Sequence, residues 1–131
     1  MRDIHIASAI IDGPDGRTLL VRKAGSAIFM QAGGKIEPGE APLTALRREL
    51  HEELDLTVAE ADATYVGRFH AVAANEPGCR VVAEIFRLRV TDSALRPNAE
   101  LAELIWIDAA NPPQIQIAPL SRDQILPIAA R

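Results

Sequence analysis

The stretch from Gly33 to Leu56, GGKIEPGEAPLTALRRELHEELDL, constrains the fold more than any other part of the chain. Its first part, residues 33–40, is rich in glycine and proline, which predicts a loop. Residues Ala41–Leu54 predict a helix, because Pro42 suits a first turn, where its missing N–H needs no partner. Four leucines recur at helical spacing and predict one apolar face: Leu43, Leu46, Leu50 and Leu54. The stretch therefore predicts a loop that leads directly into a helix with one buried side.

Three glutamates, Glu49, Glu52 and Glu53, lie beside this apolar face. At about 100° per residue they occupy an arc roughly 100° wide, so their carboxylates are expected to converge. The like-charged pair Glu49 and Glu53 costs an isolated helix a few tenths of a kcal/mol. Two interpretations remain open on this evidence. One is a solvated acidic face. The other is a site for a divalent cation such as Mg²⁺, which takes a few carboxylates and completes its shell with water and substrate phosphates.

Most positions of this stretch match the signature of the Nudix hydrolases, G-x5-E-x7-R-E-U-x-E-E-x-G-U, where U is a bulky aliphatic residue. The match covers 23 consecutive residues at these positions: Gly34, Glu40, Arg48, Glu49, Leu50, Glu52, Glu53 and Leu56. The chain departs at Asp55, where the family has a glycine that ends the helix in a left-handed conformation. Asp tolerates that conformation better than most residues. A second departure is Gln31-Ala32, where the family commonly has Leu-Pro.

The rest of the chain predicts an α+β layered domain. Strand patterns precede and follow the helix, and the first two strands are expected to form a hairpin around Asp12–Gly16. A last helix is expected to begin after a capping Ser121 and to be limited or kinked by Pro127. The predicted strands are Ile4–Ile11, Arg17–Lys23, Ile28–Gln31, Tyr65–Ala74, Arg80–Val90 and Leu104–Ile107, and the last helix is Arg122–Ala130. The resemblance implies a Nudix fold, an α/β/α sandwich with a mixed central β-sheet, and we expect residues 1–131 to form a single domain.

Composition excludes several other classes of protein. The 131 residues are 48% hydrophobic, which is typical of a globular chain, and the formal net charge of -4 gives no support to duplex nucleic acid or anionic membrane as the main partner. No apolar run of about 18 residues predicts a membrane span, and the N-terminus lacks a signal-peptide pattern. Cys79 is the only cysteine, so no internal disulfide can form. We therefore expect a cytoplasmic protein.

The resemblance implies hydrolysis of a nucleoside diphosphate linked to another group, with Mg²⁺ as the metal and Mn²⁺ as the alternative. It assigns metal coordination to Glu49, Glu52 and Glu53, with the Gly33 carbonyl as a further oxygen ligand. Glu49 and Glu53 also count as catalytic, and Arg48 is expected to orient a motif glutamate. A loop outside the motif often supplies the general base.

In this chain the corresponding loop is residues 97–103, ahead of Trp106. Glu100 best matches the base by its distance from the tryptophan, and Glu103 is the alternative. The third interpretation is that both are ordinary surface acids.

Four further residues are weaker candidates for substrate contacts. Arg22 and Lys23 end a predicted strand, where they either meet phosphate or remain solvated. Gly34 belongs to the glycine loop. Glu40, at the junction of loop and helix, either holds metal through water or braces the loop by accepting backbone N–H bonds.

Two other functions share this fold. A Nudix domain that senses a nucleotide without hydrolysing it would not require three clustered acids. An enzyme resembling isopentenyl-diphosphate isomerase would require an additional cysteine and a histidine-rich metal site, and the chain has one cysteine and three unclustered histidines. The expected partner is a small nucleotide and not a nucleic acid polymer. The candidates are a nucleoside triphosphate, ADP-ribose, a dinucleoside polyphosphate and a nucleotide sugar, and a homodimer is left open.

Overall fold

A central sheet of seven strands organises the computed structural model, which describes residues 1–131. The strands are β1 (Arg2–Asp12), β2 (Thr18–Lys23), β3 (Phe29–Met30), β4 (Ala32–Lys35), β5 (Thr64–Val72), β6 (Cys79–Arg89) and β7 (Leu101–Ile107). The helix α1 (Pro42–Leu54) follows β4, and a π-helical turn (Ser121–Ile125) leads into the short helix α2 (Leu126–Ala129). A single 3-10 turn, Glu60–Asp62, precedes β5.

The sheet is mixed, as predicted. Strand β1 pairs in parallel with β6 along its whole length, from Arg2 opposite Cys79 to Asp12 opposite Arg89. Its other edge pairs antiparallel with β4. Strands β5 and β6 form the predicted antiparallel hairpin, while β2 pairs antiparallel with β3 and β7.

The predicted antiparallel hairpin between the first two strands is confirmed only next to its turn. Strands β1 and β2 share only the pair Asp12 and Thr18, and β2 then diverges to pair with β7. The reason is competition for hydrogen bonds, since β6 and β4 already occupy the two edges of β1. A strand has two edges only, so a third long neighbour finds no free N–H and C=O groups.

Helical segments cover both faces of the sheet, which confirms the predicted sandwich. Leu46, Leu50 and Leu54 of α1 are fully buried in a cluster with Ala7, Ala9 and Ile11 of β1. The opposite face of β1 presents Ile10, which packs with Ile125 and Ala129 of the C-terminal segment. Alternate residues of β1 therefore serve two separate cores, as the two-residue period of a strand requires.

The C-terminal helix is shorter and less regular than predicted. A π-helical turn over Ser121–Ile125 precedes only one α-helical turn, with Pro127 near its start. Proline lacks the N–H that would bond to the carbonyl four residues earlier, so a wider turn replaces regular helix at this point. Arg87 fixes the segment by donating to the carbonyls of Ile128 (3.2 Å) and Ala129 (3.1 Å). No helix combines the length and the apolar character that crossing a bilayer would require.

Candidate active site

Two glycines allow the backbone of β4 to lie close to its neighbours. Gly33 has φ of 148°, and a Cβ there would lie 2.1 Å from the carbonyl oxygen of Ala7. A Cβ on Gly34 would lie 2.4 Å from Cδ of Glu49. Gly33 therefore permits the strand pairing, and Gly34 leaves room for a carboxylate of α1. Both residues lie in β4, so the predicted loop shortens to the turn before α1.

Arg48 joins the start of α1 to its acidic side. Its guanidinium donates to both carboxylate oxygens of Glu40, at 2.9 Å each, and to Oε1 of Glu49, also at 2.9 Å. It also donates to the carbonyl of Lys35 at 3.1 Å. The backbone N–H of Glu37 completes the environment of Glu40 at 3.0 Å. The guanidinium and that N–H together lower the pKa of Glu40 to about 2, which suits the bracing role considered for Glu40.

Glu53 and Glu49 are carboxylates withdrawn from water. Glu53 is only 4% exposed, and its Oε1 has no hydrogen-bond partner. Burial, reinforced by the charge of Glu49, raises the pKa of Glu53 to about 7. Burial also raises the pKa of Glu49, although Arg48 opposes the shift. Both groups therefore lack a positive charge sufficient to offset their desolvation.

The expectation that all three helix carboxylates converge is wrong in this conformation. No three acidic, histidine or cysteine side chains come close enough together to enclose a metal ion. The Glu52 side chain is 53% exposed and lies 3.9 Å from Arg48, with the guanidinium between it and Glu49. The shared arc sets the direction of the Cα–Cβ bonds only, and Arg48 and solvent decide where the carboxylates lie.

The donor set nevertheless fits a divalent cation. A buried carboxylate oxygen without a partner and a second desolvated carboxylate are both stabilised by a nearby cation. All donors are hard oxygens, and Mg²⁺ needs only one or two carboxylates from the protein. The backbone N–H of Gly33 also lowers the pKa of Glu53, so the glycine strand lies beside this pair. Glu49 and Glu53 are therefore the two acids that this geometry favours as ligands.

The structure places Glu100 beside these acids. The backbone N–H of Asn98 donates to the carbonyl of Glu53 at 2.8 Å, which fixes this loop to the end of α1. The Glu100 side chain is 77% exposed and lies 3.9 Å from Nζ of Lys23. Its charge contributes to the raised pKa of both Glu49 and Glu53. Glu100 is therefore an exposed carboxylate close to the buried Glu53 and the partly buried Glu49.

Arg22 and Glu103 form an ion pair. Nε of Arg22 donates to Oε1 of Glu103 at 3.0 Å, across the paired strands β2 and β7. Arg22 also donates to the carbonyl of Ser26 at 2.9 Å. Glu103 lies in β7 and not in the loop. Lys23 differs from Arg22 because it lines the cavity next to Gly33 and Gly34.

That cavity contains polar residues to which the sequence assigned no function. It measures about 100 Å³ and its lining includes Ser8, Gln31 and Lys35. Ser121, predicted as a helix cap, instead donates its hydroxyl to Oε1 of Gln31. The signal in the sequence was the departure from Leu-Pro at Gln31-Ala32, because a polar residue there needs a partner.

Asp55 ends α1 in the left-handed conformation that the sequence predicts, with φ of 52° and ψ of 35°. Asp55→Gly should raise the free energy of unfolding by about 1 kcal/mol, because glycine has no Cβ clash at positive φ. For a domain of this size the melting temperature should rise by roughly 3–5 °C, and hydrolysis should persist.

Asp55→Ala separates the two contributions of the aspartate, since it keeps the Cβ clash and removes the charge. A lower melting temperature for Asp55→Gly would mean that the carboxylate gains more from His51, whose Nε2 lies 3.9 Å away, than the backbone loses.

Comparisons with known proteins show what this chain is similar to. The NUDIX domain family matches residues 4–127 of the chain. The CTP pyrophosphohydrolase of Escherichia coli (strain K12) is 32% identical over 125 residues, covering 91% of this chain and 86% of that protein. An octanoyltransferase of Myxococcus xanthus is 35% identical over 113 residues, but this chain spans only 31% of its length.

Solved structures show the same fold. The solution structure of the E. coli ORF135 protein is 30% identical, with a TM-score of 0.70, and the match covers 95% of this chain and 87% of that one. The crystal structure of a MutT NUDIX hydrolase from Burkholderia pseudomallei has a TM-score of 0.75 at 22% identity, covering 99% and 97% of the two chains. At 22% identity, the likeness to the Burkholderia pseudomallei protein shows the fold alone.

Proposed function

This chain belongs to the Nudix hydrolase family, and on that premise we propose that it is a pyrophosphohydrolase that uses Mg²⁺ to cleave a phosphoric anhydride bond in a small nucleotide. The observation that carries the proposal is Glu53, a buried carboxylate with an unpaired oxygen beside Glu49 and the glycine strand. A domain that only binds a nucleotide has no need for this energetically unfavourable arrangement. A hydrolase does need it, because a cation must neutralise phosphate charge during attack by water.

Each residue of the site then has a role. Glu49 and Glu53 would hold the metal, with Glu52 and the Gly33 carbonyl as further oxygen ligands. When bound, Mg²⁺ supplies the positive charge that offsets the developing charge on the phosphate oxygens. Arg48 fixes Glu49 and, through Glu40, the turn before α1. The contact to Glu49 holds that carboxylate in one orientation, and the contact to Glu40 holds the turn in place.

Glu100 is our candidate for the general base. It is exposed, which leaves its carboxylate free to accept a proton from water, and it lies in a loop tied to the end of α1. Lys23, between Glu100 and the cavity, is positioned to meet a phosphate oxygen. We assign no phosphate contact to Arg22, because Glu103 and Ser26 already accept its hydrogen bonds.

A nucleoside triphosphate is the substrate class that we favour. The relative that shares 32% identity over most of both chains is named for CTP. A second relative, 43% identical over 51 residues, is an RNA pyrophosphohydrolase of Halorhodospira halophila, but the match covers only 39% of this chain. The longer match therefore carries more weight.

The test is a nucleotide panel. The purified protein should be incubated with Mg²⁺, or with Mn²⁺ as the alternative, and nucleoside triphosphates, ADP-ribose, dinucleoside polyphosphates and nucleotide sugars, with both products identified by mass. We expect cleavage of a triphosphate that stops with EDTA and resumes when Mg²⁺ is added in excess. Calorimetric binding of a nucleotide that stays intact after prolonged incubation at every metal concentration would instead establish a sensor domain.

A further inference from the structure

The loop that carries Glu100 ends in a tight turn, Asn98–Leu101, with an uncommon backbone conformation. The N–H of Leu101 donates to the carbonyl of Asn98 at 3.1 Å, which closes the turn. Ala99, its first central residue, has φ of 53°, while φ of Glu100 is negative. Positive φ at the first central position alone is the pattern of a type II′ turn, in which glycine is the usual residue. An alanine there brings its Cβ close to the backbone, so this conformation is strained.

Further backbone hydrogen bonds hold this turn at both ends. The N–H of Asn98 donates to the carbonyl of Glu53 at 2.8 Å, one of the last carbonyls of α1, which lack partners within the helix. The N–H of Ala24 donates to the carbonyl of Glu100 at 2.9 Å. The turn is therefore attached on one side to the helix of the buried acids and on the other to the end of β2.

A second irregularity follows directly after the turn. The pairing of β7 with β2 shifts by one residue between Arg22 and Lys23, so that Ala102 is an extra residue in β7. Such a β-bulge bends its strand and changes the direction of nearby side chains. Glu100 thus lies between a strained residue and a bulge. Strained backbone persists only where the surrounding contacts enforce it, and it concentrates at functional sites.

The carboxylate of Glu100 lies near the buried acids without side-chain packing to hold it there. Its charge contributes to the raised pKa of both Glu49 and Glu53, although the side chain is 77% exposed. Its one ion-pair partner is Lys23, with Nζ at 3.9 Å, and exposed pairs of this kind hold a side chain weakly. The backbone of the turn is therefore the main determinant of where this carboxylate points.

We propose that the positive φ of Ala99 directs the Glu100 carboxylate towards Glu49 and Glu53, which makes Ala99 a positioning residue for the general base. This inference rests on the proposed function, in which Glu100 is the candidate base. The side chain of Ala99 is exposed, so its contribution is the conformation of the backbone. With negative φ at this position the chain would leave the turn in another direction, and the Glu100 carboxylate would no longer face the two acids.

Substitutions at position 99 test the proposal through kcat and KM at saturating Mg²⁺ with the preferred nucleotide. Proline fixes φ near about −65° and cannot adopt the observed conformation, so Ala99→Pro should lower kcat about a hundredfold and change KM by less than about twofold. Glycine adopts positive φ without strain, so Ala99→Gly should keep kcat within about threefold of the wild type. Ala99→Val, whose β-branched side chain disfavours positive φ, should lie between them and replaces Ala99→Pro if that variant does not fold.

Two comparisons separate positioning from a general effect of the substitution. Ala59→Pro is the matched control, because Ala59 is exposed and already has φ of -72°, and it should leave kcat and KM unchanged. In a Glu100→Gln background, where the base is absent, Ala99→Pro should cause no further loss of kcat. Multiplicative losses in the double variant, or wild-type kcat in folded Ala99→Pro and Ala99→Val, would overturn the role of Ala99 while hydrolysis stands.

A measurement without turnover locates the carboxylate directly. Nuclear magnetic resonance signals are broadened by bound Mn²⁺ more strongly the closer they lie to it, so the carboxyl carbon signal of Glu100 reports its distance from the acids. We expect strong broadening in the wild type and in Ala99→Gly, and much weaker broadening in Ala99→Pro. Equal broadening in all three proteins, or none in the wild type, would overturn the inference. If the wild type cleaves no nucleotide but the broadening differs as expected, the proposed function fails while the directing role of Ala99 stands.

Discussion

Replacing Glu53 with glutamine should preserve the fold and lower kcat by roughly a hundredfold or more. The amide keeps the volume of the side chain in its buried site, but it loses the charge and one of the two oxygens that a metal would use. Loss of a metal ligand should raise the barrier by several kcal/mol, and about 1.4 kcal/mol corresponds to a factor of ten. The measurement is kcat at saturating Mg²⁺ with the preferred nucleotide, and a rate equal to that of the wild type would exclude Glu53 as a ligand.

The same substitution should have the opposite effect on the stability of the metal-free protein. Burial raises the pKa of Glu53 in the folded state to about 7 from an ordinary value of 4.5. Between these values the folded protein binds more protons than the unfolded chain, so the free energy of unfolding decreases as the pH rises from about 4.5 to about 7. The decrease should be of order 1–3 kcal/mol. Glutamine cannot ionise, so Glu53→Gln should be more stable than the wild type at pH 8 in EDTA and should lose most of this slope.

Urea denaturation in EDTA at pH 5 and pH 8 measures this effect. Glu60→Gln is the matched control, because Glu60 is exposed and pairs only with Arg47 at 3.5 Å. That variant should show the wild-type pH dependence and the wild-type kcat. Adding Mg²⁺ at pH 8 should stabilise the wild type and not Glu53→Gln. If Glu53→Gln is less stable than the wild type at pH 8, the carboxylate has a compensating partner in the folded protein.

The local sequence was sufficient to predict α1 and the residue at which it ends. The leucine spacing, Pro42 and the position of Asp55 all act within one or two turns, and the structure has the helix at Pro42–Leu54 with Asp55 left-handed. Helical position alone does not give the contacts of Arg48, which on an ideal helix lies about 40° from Glu52 and about 100° from Glu49. Its long side chain reaches back to Glu49 and across to Glu40. The angular position of a residue around the helix therefore predicts which face it belongs to better than it predicts the contacts of a long, flexible side chain.

Contacts between distant residues could not be derived from the sequence. Gln31 and Ser121 are 90 positions apart, and their hydrogen bond depends on how the C-terminal segment packs across the sheet. The β1–β2 pairing stays limited to the turn for a related reason, because β6, far along the chain, occupies one edge of β1 and β4 pairs with the other. The burial of Glu53 beside the half-exposed Glu52 does follow from helical position, because at about 100° per residue Glu53 lies about 20° from Leu46 and Glu52 about 120°.

Adding a single methyl group at Gly34 should remove most of the activity without unfolding the protein. Gly34 has no positive φ that would exclude alanine, so the backbone tolerates Gly34→Ala. The new Cβ would, however, lie 2.4 Å from Cδ of Glu49 and 2.7 Å from both of its oxygens. The carboxylate is the end of a flexible side chain and must move away. A displacement of about 1 Å at a catalytic group can cost on the order of a hundredfold in rate.

A shorter acid at position 49 provides the decisive control. Glu49→Asp alone withdraws the carboxylate from Gly34 and should lose activity as well, because aspartate is one methylene shorter. In the double variant Gly34→Ala/Glu49→Asp the new methyl group occupies space that the shorter side chain has vacated. If steric displacement of Glu49 is the cause, the double variant should be more active than the product of the two single losses predicts. Strictly multiplicative losses, or a fall of several kcal/mol in the unfolding free energy of Gly34→Ala, would show that the glycine serves the backbone of β4 and not the carboxylate.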